Sequence, residues 1–385
     1  MPQPCHSASS FRYLPELAPG PLVSLLREWQ RDNRPFHVLA LLPDREREAV
    51  PRLQQIFKEQ GVDLAGAVFP ALIHAGHFVE RGILLLPIVD APQPLLLTGV
   101  GSPLAPQTIA ATLLDHVASR LSDDEEATLF CIFDALTPNI ATHLDEWYLQ
   151  LADRVRYVGV NAGNERFEPA PCLFDHRQFV ADAVLIQLLP EHPGARLEHA
   201  YGVPDCVISV TSACGNRIVQ IDWQPALAVY QRILASAYGV TVDRDNFYQY
   251  AVHFPFGILR ADGEILVRIP VALDDEGAIV CVGEIPENSV LTLLDARDGI
   301  GRAVDQLCLP AEANHGPADG HLFFYCAGRR MHAGPAAEEE IADFAARCGG
   351  DLAGALSLGE IGGSRSGGYP LFHNATLVDL PWPGR

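Results

Sequence analysis

The sequence predicts an α/β (α+β) protein of repeated β-α-β-β modules, with mixed sheets flanked by helices and a β-rich middle segment. One observation is that an apolar strand, a helix pattern and a small-residue strand recur along the chain. The letters DLAGA occur twice, at residues 63–67 and 351–355, each time directly after a helix pattern. The other observation is that residues 207–222 alternate apolar and polar positions like a hairpin, and that strand-like runs separated by turns follow between residues 252 and 294, which indicates a β-rich segment.

The first module begins with HVLALL at residues 37–42, an apolar run of strand length. A helix is predicted next, because Pro51 suits a first helical position and Gly61 suits a helix end. The runs DLAGAVF and ILLLPI complete the module. We interpret residues 1–35, before the module, as a tail with one amphipathic helix.

Two further copies of this pattern follow. The second runs through TLFCIF, a helix opening at Thr137, VRYVGV and AVLIQLL. The third runs through HLFFYC, a helix opening at Pro335, DLAGALS and ATLVDL. Because about 130 unlike residues separate these two copies, we predict duplicated modules and not a solenoid of stacked repeats.

The middle segment predicts a different architecture. Residues 207–222 suggest a hairpin and residues 225–239 a helix, and four strand-like runs follow at residues 252–259, 264–270, 279–282 and 290–294. We therefore divide the chain into the tail, a first domain at residues 36–240 with two modules, the hairpin and the helix, and a second domain at residues 241–385. The second domain has a β-rich start and the third module.

Composition excludes several functional classes. The net charge is -21 and Lys58 is the single lysine, so the chain has little with which to bind nucleic acid or an anionic membrane. The nine cysteines include no C-x-x-C pair, which favours free thiols in a reducing compartment. Neither a signal peptide nor an apolar run long enough to span a bilayer is visible. We expect a soluble cytoplasmic protein.

Four residues near the end of the chain predict a small-molecule site. Glu360 lies in GEIGG, at the start of a glycine-rich segment that we interpret as a loop over residues 359–368. Arg329 follows the strand HLFFYC, where an α/β module places ligands and where an arginine can bind a carboxylate or phosphate. His373 and Asn374 follow the loop. For each residue an ordinary structural role is the alternative.

Cys326 offers an enzymatic alternative. A cysteine nucleophile needs a nearby base, and His373 or His332 could supply one. No G-x-S-x-G or H-E-x-x-H motif supports a hydrolase. A cysteine that ends an apolar strand is commonly a core residue. We therefore predict that the protein is not an enzyme, and keep a Cys-dependent hydrolase or transferase as an alternative.

Several segments of the sequence resemble a known family. The strings HLFFYCAGRR, DLAGALSLGEIGG and PLFHNATLV resemble the C-terminal domain of FIST proteins, a family of bacterial signal-input proteins. The likeness extends over residues 36–380. It implies a cytoplasmic sensor that binds small ligands such as amino acids and works with a histidine kinase or a cyclic-nucleotide enzyme. The chain also resembles a stand-alone branch of the family, and this resemblance implies a haem-binding nitric-oxide sensor.

Three hypotheses result, of which the resemblance implies the first two. The first is a haem-binding sensor of nitric oxide that regulates a partner histidine kinase, with a homodimer as the assembly. Its leading axial-ligand candidates are His199 and His253, and His74 ranks after them. No metal other than haem iron is expected. VFPALIHAGHF stands where the family often has a second glycine-glutamate motif, which favours an apolar ligand. The others are a sensor of an amino acid or small anion, and the Cys326 enzyme.

Overall fold

The computed structural model describes residues 11–122, 125–204, 206–261, 263–295, 302–309, 320–363 and 368–382. The α-helices in these ranges are α1 (Pro19–Gln30), α2 (Val50–Gln60), α3 (Ala105–Ala118), α4 (Ile140–Leu151), α5 (Ala226–Ile233), α6 (Phe247–Ala251), α7 (Arg302–Leu307), α8 (Ala327–Ala333) and α9 (Ala336–Cys348). The strands up to the middle of the chain are β1 (Arg12–Leu14), β2 (Phe36–Pro43), β3 (Asp63–Phe69), β4 (Leu72–His74), β5 (His77–Val79), β6 (Ile83–Val89), β7 (Leu95–Thr98), β8 (Ala127–Asp134), β9 (Arg156–Ala162), β10 (Leu173–Asp175), β11 (Phe179–Val180), β12 (Ala183–Pro190) and β13 (Arg196–Glu198). The remaining strands are β14 (Ile208–Cys214), β15 (Arg217–Ile221), β16 (Gln224–Pro225), β17 (Phe256–Leu259), β18 (Ile265–Arg268), β19 (Pro270–Leu273), β20 (Ile279–Cys281), β21 (Val290–Leu293), β22 (Gly320–Cys326), β23 (Asp351–Ser357), β24 (Glu360–Gly363), β25 (Pro370–His373) and β26 (Leu377–Trp382).

Three six-stranded sheets share one plan. Their strand orders are β1-β6-β2-β3-β10-β11, β7-β12-β8-β9-β24-β25 and β13-β26-β22-β23-β4-β5. In each sheet the central pair is parallel, namely β2 with β3, β8 with β9 and β22 with β23. All other pairs in these sheets are antiparallel. The predicted α/β fold class is confirmed.

The modules exchange hairpins in a closed cycle. The hairpin β4–β5 of the first module extends the sheet of the third, at β23. The hairpin β10–β11 of the second module extends the sheet of the first, at β3. The hairpin β24–β25 of the third module extends the sheet of the second, at β9. Each sheet is therefore complete only when two modules are present.

The glycine shared by the DLAGA strands has a packing role. A Cβ on Gly354 would collide with the carbonyl oxygen of Phe323 on β22, and one on Gly66 with that of Ala40 on β2. On Gly66 it would also collide with the ring of Phe174, which comes from the exchanged hairpin. A side chain is thus excluded at this position of the repeat.

The three modules meet in one core. The rings of Phe69, Phe130 and Phe324, one from each module, pack together, with Phe324 5.9 Å from both of the others. Such offset aromatic contacts add to the free energy gained by burying the rings. The inward faces of the sheets therefore pack against one another, and helices such as α2, α4 and α9 bury apolar stripes on the outer faces.

The β-rich middle forms an antiparallel sheet inserted into the third module between β13 and α7. Its order is β18-β17-β21-β14-β15-β20-β19, with β16 paired to β15. Helix α5 packs on this sheet through Val229 and Tyr230. The predicted hairpin forms as β14 and β15, which turn at Gly215 with φ of 59°.

The predicted strand over residues 252–259 is wrong in its first half. Helix α6 runs to Ala251, and the N–H groups of His253 and Phe254 donate to the carbonyls of Tyr250 and Ala251 in a turn. The strand begins only at Phe256. His253 consequently lies in a turn next to a helix and not on a strand. The domain boundaries at residues 35/36 and 240/241 stay predictions.

Candidate functional site

A pocket opens at the carboxyl ends of the parallel strands β22 and β23. Cys326, the last residue of β22, lies opposite Ser357, the last residue of β23. Helix α8 begins at Ala327, the next residue. The carboxyl ends of parallel strands are the usual ligand-binding edge of α/β sheets. The third module therefore places its strand ends and a helix start around one cavity.

The pocket is mostly apolar. The space between its walls is about 450 Å³, which includes solvent at its open mouth. Its polar groups come from Glu165, Tyr248, Cys326 and Asn374. Apolar walls with a few placed polar groups are typical of small-molecule sites. The apolar wall residues include Phe167, Val252, Ile269, Val271, Val282 and Leu358.

Helix α6 forms one side of the pocket and is held against α8. The Tyr248 hydroxyl donates to the sulfur of Met331 at 3.2 Å. Beyond the helix, the Nδ1 atoms of His253 and His332 lie 2.7 Å apart. Burial lowers the pKa of both imidazoles, that of His332 to about 4. Both rings are therefore neutral at pH 7, and one Nδ1–H donates to the other Nδ1.

Glu360 lies next to the pocket, fully buried behind Cys326. The Ser357 hydroxyl donates to its Oε1 at 2.6 Å, and the backbone N–H of Thr376 donates to its Oε2 at 3.3 Å. The Cys326 thiol also hydrogen-bonds to it. Burial raises the pKa of Glu360 to about 8, against the opposing effect of these hydrogen bonds and of Arg329. The carboxyl group is mainly protonated at pH 7.

The interpretation of residues 359–368 as a glycine-rich loop is wrong at its start. Residues 360–363 form β24, which pairs with β9 and β25, and residues 364–367 lie outside the described residues. A Cβ on Gly359 would lie 2.7 Å from the ring of Phe372 and 2.8 Å from the amide nitrogen of Asn161. This glycine makes room for neighbouring side chains and not for a ligand.

Cys326 has neither expected histidine as its partner. Its sulfur accepts the backbone N–H of Ala375 at 3.1 Å and hydrogen-bonds to Glu360. Burial, followed by the charge of Glu360, raises the pKa of the thiol. His332 pairs with His253, and His373 lines a different cavity. The arrangement stabilises a neutral thiol, whereas nucleophilic catalysis requires a thiolate.

The guanidinium group of Arg329 is buried and hydrogen-bonded to other groups of the protein. It is 1% exposed, and its Nε and Nη2 donate to the two carboxylate oxygens of Glu340 at 2.9 and 2.6 Å. Its Nη1 donates to the carbonyl oxygen of His199 at 2.7 Å. The hydroxyl of Tyr325 donates to the same carboxylate at 2.7 Å. Arg329 thus joins α8 to α9 and to the segment after β13.

His373 and Asn374 lie on opposite sides of the chain. Asn374 lines the apolar pocket, where its Oδ1 accepts the N–H of Ile269 at 3.2 Å. His373, opposite Glu360 in the β24–β25 register, lines a larger polar groove of about 1600 Å³. Of the four predicted ligand residues, the structure therefore brings only Asn374 to the pocket wall, with Glu360 behind it.

The three candidate haem ligands do not meet. His74 stacks on Tyr13 at 4.3 Å in the first module, His253 pairs with His332, and His199 lines the polar groove. The Nδ1 of His199 accepts the N–H of Tyr201 at 3.0 Å, which leaves its proton on Nε2, the nitrogen that would bind iron. Among the described residues that line the apolar pocket, none is a histidine.

Sequence reasoning missed Glu165 and Tyr248. Glu165 lies in the loop after β9 of the second module, and Tyr248 on the short helix α6. Both reach the pocket only through packing between segments far apart in the chain. Neither lies in a motif or in a periodic pattern, so the sequence carries no signal for them.

Comparison with family models decides the relationship. The FIST N domain model matches residues 38–224, and the FIST C domain model matches residues 226–363. The chain belongs to the FIST family. FIST domains are small-ligand sensing domains in signalling. No curated protein matches the chain. In this FIST protein the pocket is lined by residues from both matched regions, Glu165 from the first and Tyr248 from the second.

Two further observations bear on the class of site. Among the described residues, no group of three or more His, Cys, Asp or Glu side chains is arranged to hold a metal ion. In the part of the chain that the structure describes, none of the helices combines the length and apolar composition needed to cross a bilayer.

Proposed function

We propose that this FIST protein senses a small molecule with an apolar body and a charged or hydrogen-bonding head, the chemical class of the hydrophobic amino acids. The site is the pocket at the ends of β22 and β23. The observation that carries the proposal is the pocket's lining, in which apolar walls surround a few polar groups. Such a lining stabilises an apolar ligand by burial and fixes its orientation at the polar end.

An ion pair adjoins the pocket. Glu165, which lines it, forms an ion pair with Arg330, with 3.3 Å between Oε1 and Nη1. The Arg330 guanidinium lies over the ring of Phe78 at 4.5 Å and is 33% exposed. A ligand with an ammonium and a carboxylate group can bind between these partners. Arg330 is therefore the arginine that we propose for the carboxylate, since Arg329 is buried in its ion pair with Glu340.

Ligand binding would act on α6 and α8, which border the pocket. Tyr248 and Val252, on and just after α6, line the pocket together with Met331 of α8. A ligand that fits only one spacing of these helices shifts their equilibrium by its differential affinity. We propose a histidine kinase or a cyclic-nucleotide enzyme as the partner that responds.

Ligand binding is expected to raise the melting temperature in a thermal-shift screen. Leucine, isoleucine and phenylalanine should raise it progressively with concentration, because a ligand that binds only the folded state stabilises it by mass action. Aspartate should have little effect. Val271→Phe, which fills the pocket from its wall, should abolish the shift.

Val219→Phe is the matched control, since Val219 is exposed on β15 and lines no part of this pocket. It should keep the full shift. An unchanged shift in Val271→Phe, or no shift with any amino acid, would contradict the proposed site.

Haem with nitric oxide as the signal is the second candidate, and the described residues fit it poorly. The apolar pocket lacks a histidine, and the hydrogen bond of His199 favours the wrong tautomer. Protein expressed with a haem precursor is therefore expected to show no Soret band. A Soret band that His253→Ala removes and His199→Ala keeps would overturn this expectation and assign the ligand.

A further inference from the structure

Two cysteines lie close together, away from the pocket. The sulfur of Cys308, which follows α7, is 2.9 Å from the sulfur of Cys348, the last residue of α9. The two residues are 40 positions apart in the chain. Of the cysteines in the described part of the chain, only this pair has another cysteine sulfur within hydrogen-bonding distance.

The surroundings hold this pair in place and leave it accessible. Both cysteines are half-buried, whereas Cys131, Cys172, Cys281 and Cys326 are fully buried. The residue before Cys348, Arg347, donates to Asp305 of α7 at 2.7 Å. This ion pair spans the same two helices as the thiols. A small oxidant can therefore reach sulfurs that are already positioned for bond formation.

We propose that Cys308 and Cys348 form an oxidisable dithiol, a modification site that hydrogen peroxide converts into a disulfide between α7 and α9. Burial and the hydrogen bond to Cys308 raise the pKa of the Cys348 thiol, so Cys308 is the attacking residue. Its thiolate attacks a peroxide oxygen, the O–O bond breaks, and the departing hydroxide takes up a proton as water. The resulting sulfenic acid is attacked by the second sulfur. Its S–O bond breaks and the second oxygen leaves as water, so two thiols and one peroxide give one disulfide and two waters.

The disulfide would fix one wall of the polar groove. Gln306 and Leu307, at the end of α7 directly before Cys308, line that groove. A cross-link over 40 residues also restricts the unfolded chain. Oxidised protein is expected to melt about 3–8 °C higher than reduced protein.

The test is peroxide treatment of reduced, full-length protein. Thiol titration under denaturing conditions should fall from nine to seven per chain, since nine cysteines are present and two are consumed. The intact mass should fall by that of two hydrogens, and peptide mapping should recover residues 308 and 348 cross-linked. Cys308→Ser should lose the cross-link and the rise in melting temperature.

Cys206→Ser is the matched control, because Cys206 is an exposed cysteine elsewhere in the chain. It should keep both the cross-link and the rise. Free thiols at positions 308 and 348 after Cys206 or Cys214 has been oxidised would overturn the proposal. The same melting temperature for the cross-linked and the reduced forms would contradict the expected stabilisation by the cross-link.

Discussion

Glu340→Gln is expected to lower the free energy of unfolding by about 3–5 kcal/mol. The substitution keeps the size of the side chain but removes its charge, so the guanidinium of Arg329 stays buried without a carboxylate. Arg329 is 1% exposed and Glu340 5%. The hydroxyl of Tyr325 also loses its charged acceptor. Denaturant unfolding at pH 7 measures the change as a lower midpoint with an unchanged slope.

Two variants control this experiment. Glu339→Gln makes the same substitution at an exposed position of the same helix and should change stability by about 0.5 kcal/mol or less. The double variant Arg329→Met with Glu340→Leu removes both charges and should recover most of the loss, since an apolar pair can replace a buried ion pair. A Glu340→Gln protein as stable as the wild type would show that Arg329 is not a buried charge.

Glu360→Gln is expected to change how stability depends on pH. The folded state raises the pKa of Glu360 to about 8, from 4.5 in the unfolded chain. Between these values the folded state binds more protons, so the wild type loses stability as pH rises through this window. The loss from this group is on the order of 4–5 kcal/mol. Glutamine cannot ionise and should not lose it.

Unfolding free energies of both proteins from pH 4 to pH 9 provide the measurement. The free energy of unfolding of Glu360→Gln, relative to that of the wild type, should increase as pH rises. Titration of the histidines occurs in both proteins and cancels in that difference. A difference between wild type and Glu360→Gln that stays flat with pH would mean that this carboxyl group is not desolvated.

The sequence sufficed for the modules because their signals are local. The strand and helix patterns and the glycine of DLAGA lie within a few residues of one another. It could not reveal the hairpin exchange, since the partner of Glu360 in the sheet is Val160, 200 positions away. β24 is apolar only in part and glycine-rich, so it has a loop's composition and becomes a strand only because β9 offers an open edge.

The same limit applies to the site. The apolar and glycine neighbours of Glu360 in the sequence are compatible with its burial, which raises the pKa of its carboxyl group. The sequence does not indicate the role of Arg329, because that role is decided by Glu340, which lies on the next helix and looks like one of several surface glutamates. Glu165 and Tyr248 reach the pocket through tertiary packing alone. Residues that depend on distant segments were therefore missed or misassigned.

The closed cycle of hairpins has a consequence for how the chain folds as it leaves the ribosome. The second sheet lacks β24 and β25 until residue 373 has been made, and β4–β5 has no sheet to join until β23 has been made. The edge of β9 therefore stays open, and the hairpin β4–β5 lacks its sheet, until late in synthesis. Domains commonly fold as units, N-terminal first, during translation. Here the second and third sheets can be completed only after nearly the whole chain has been translated. Chaperones would be needed during that interval.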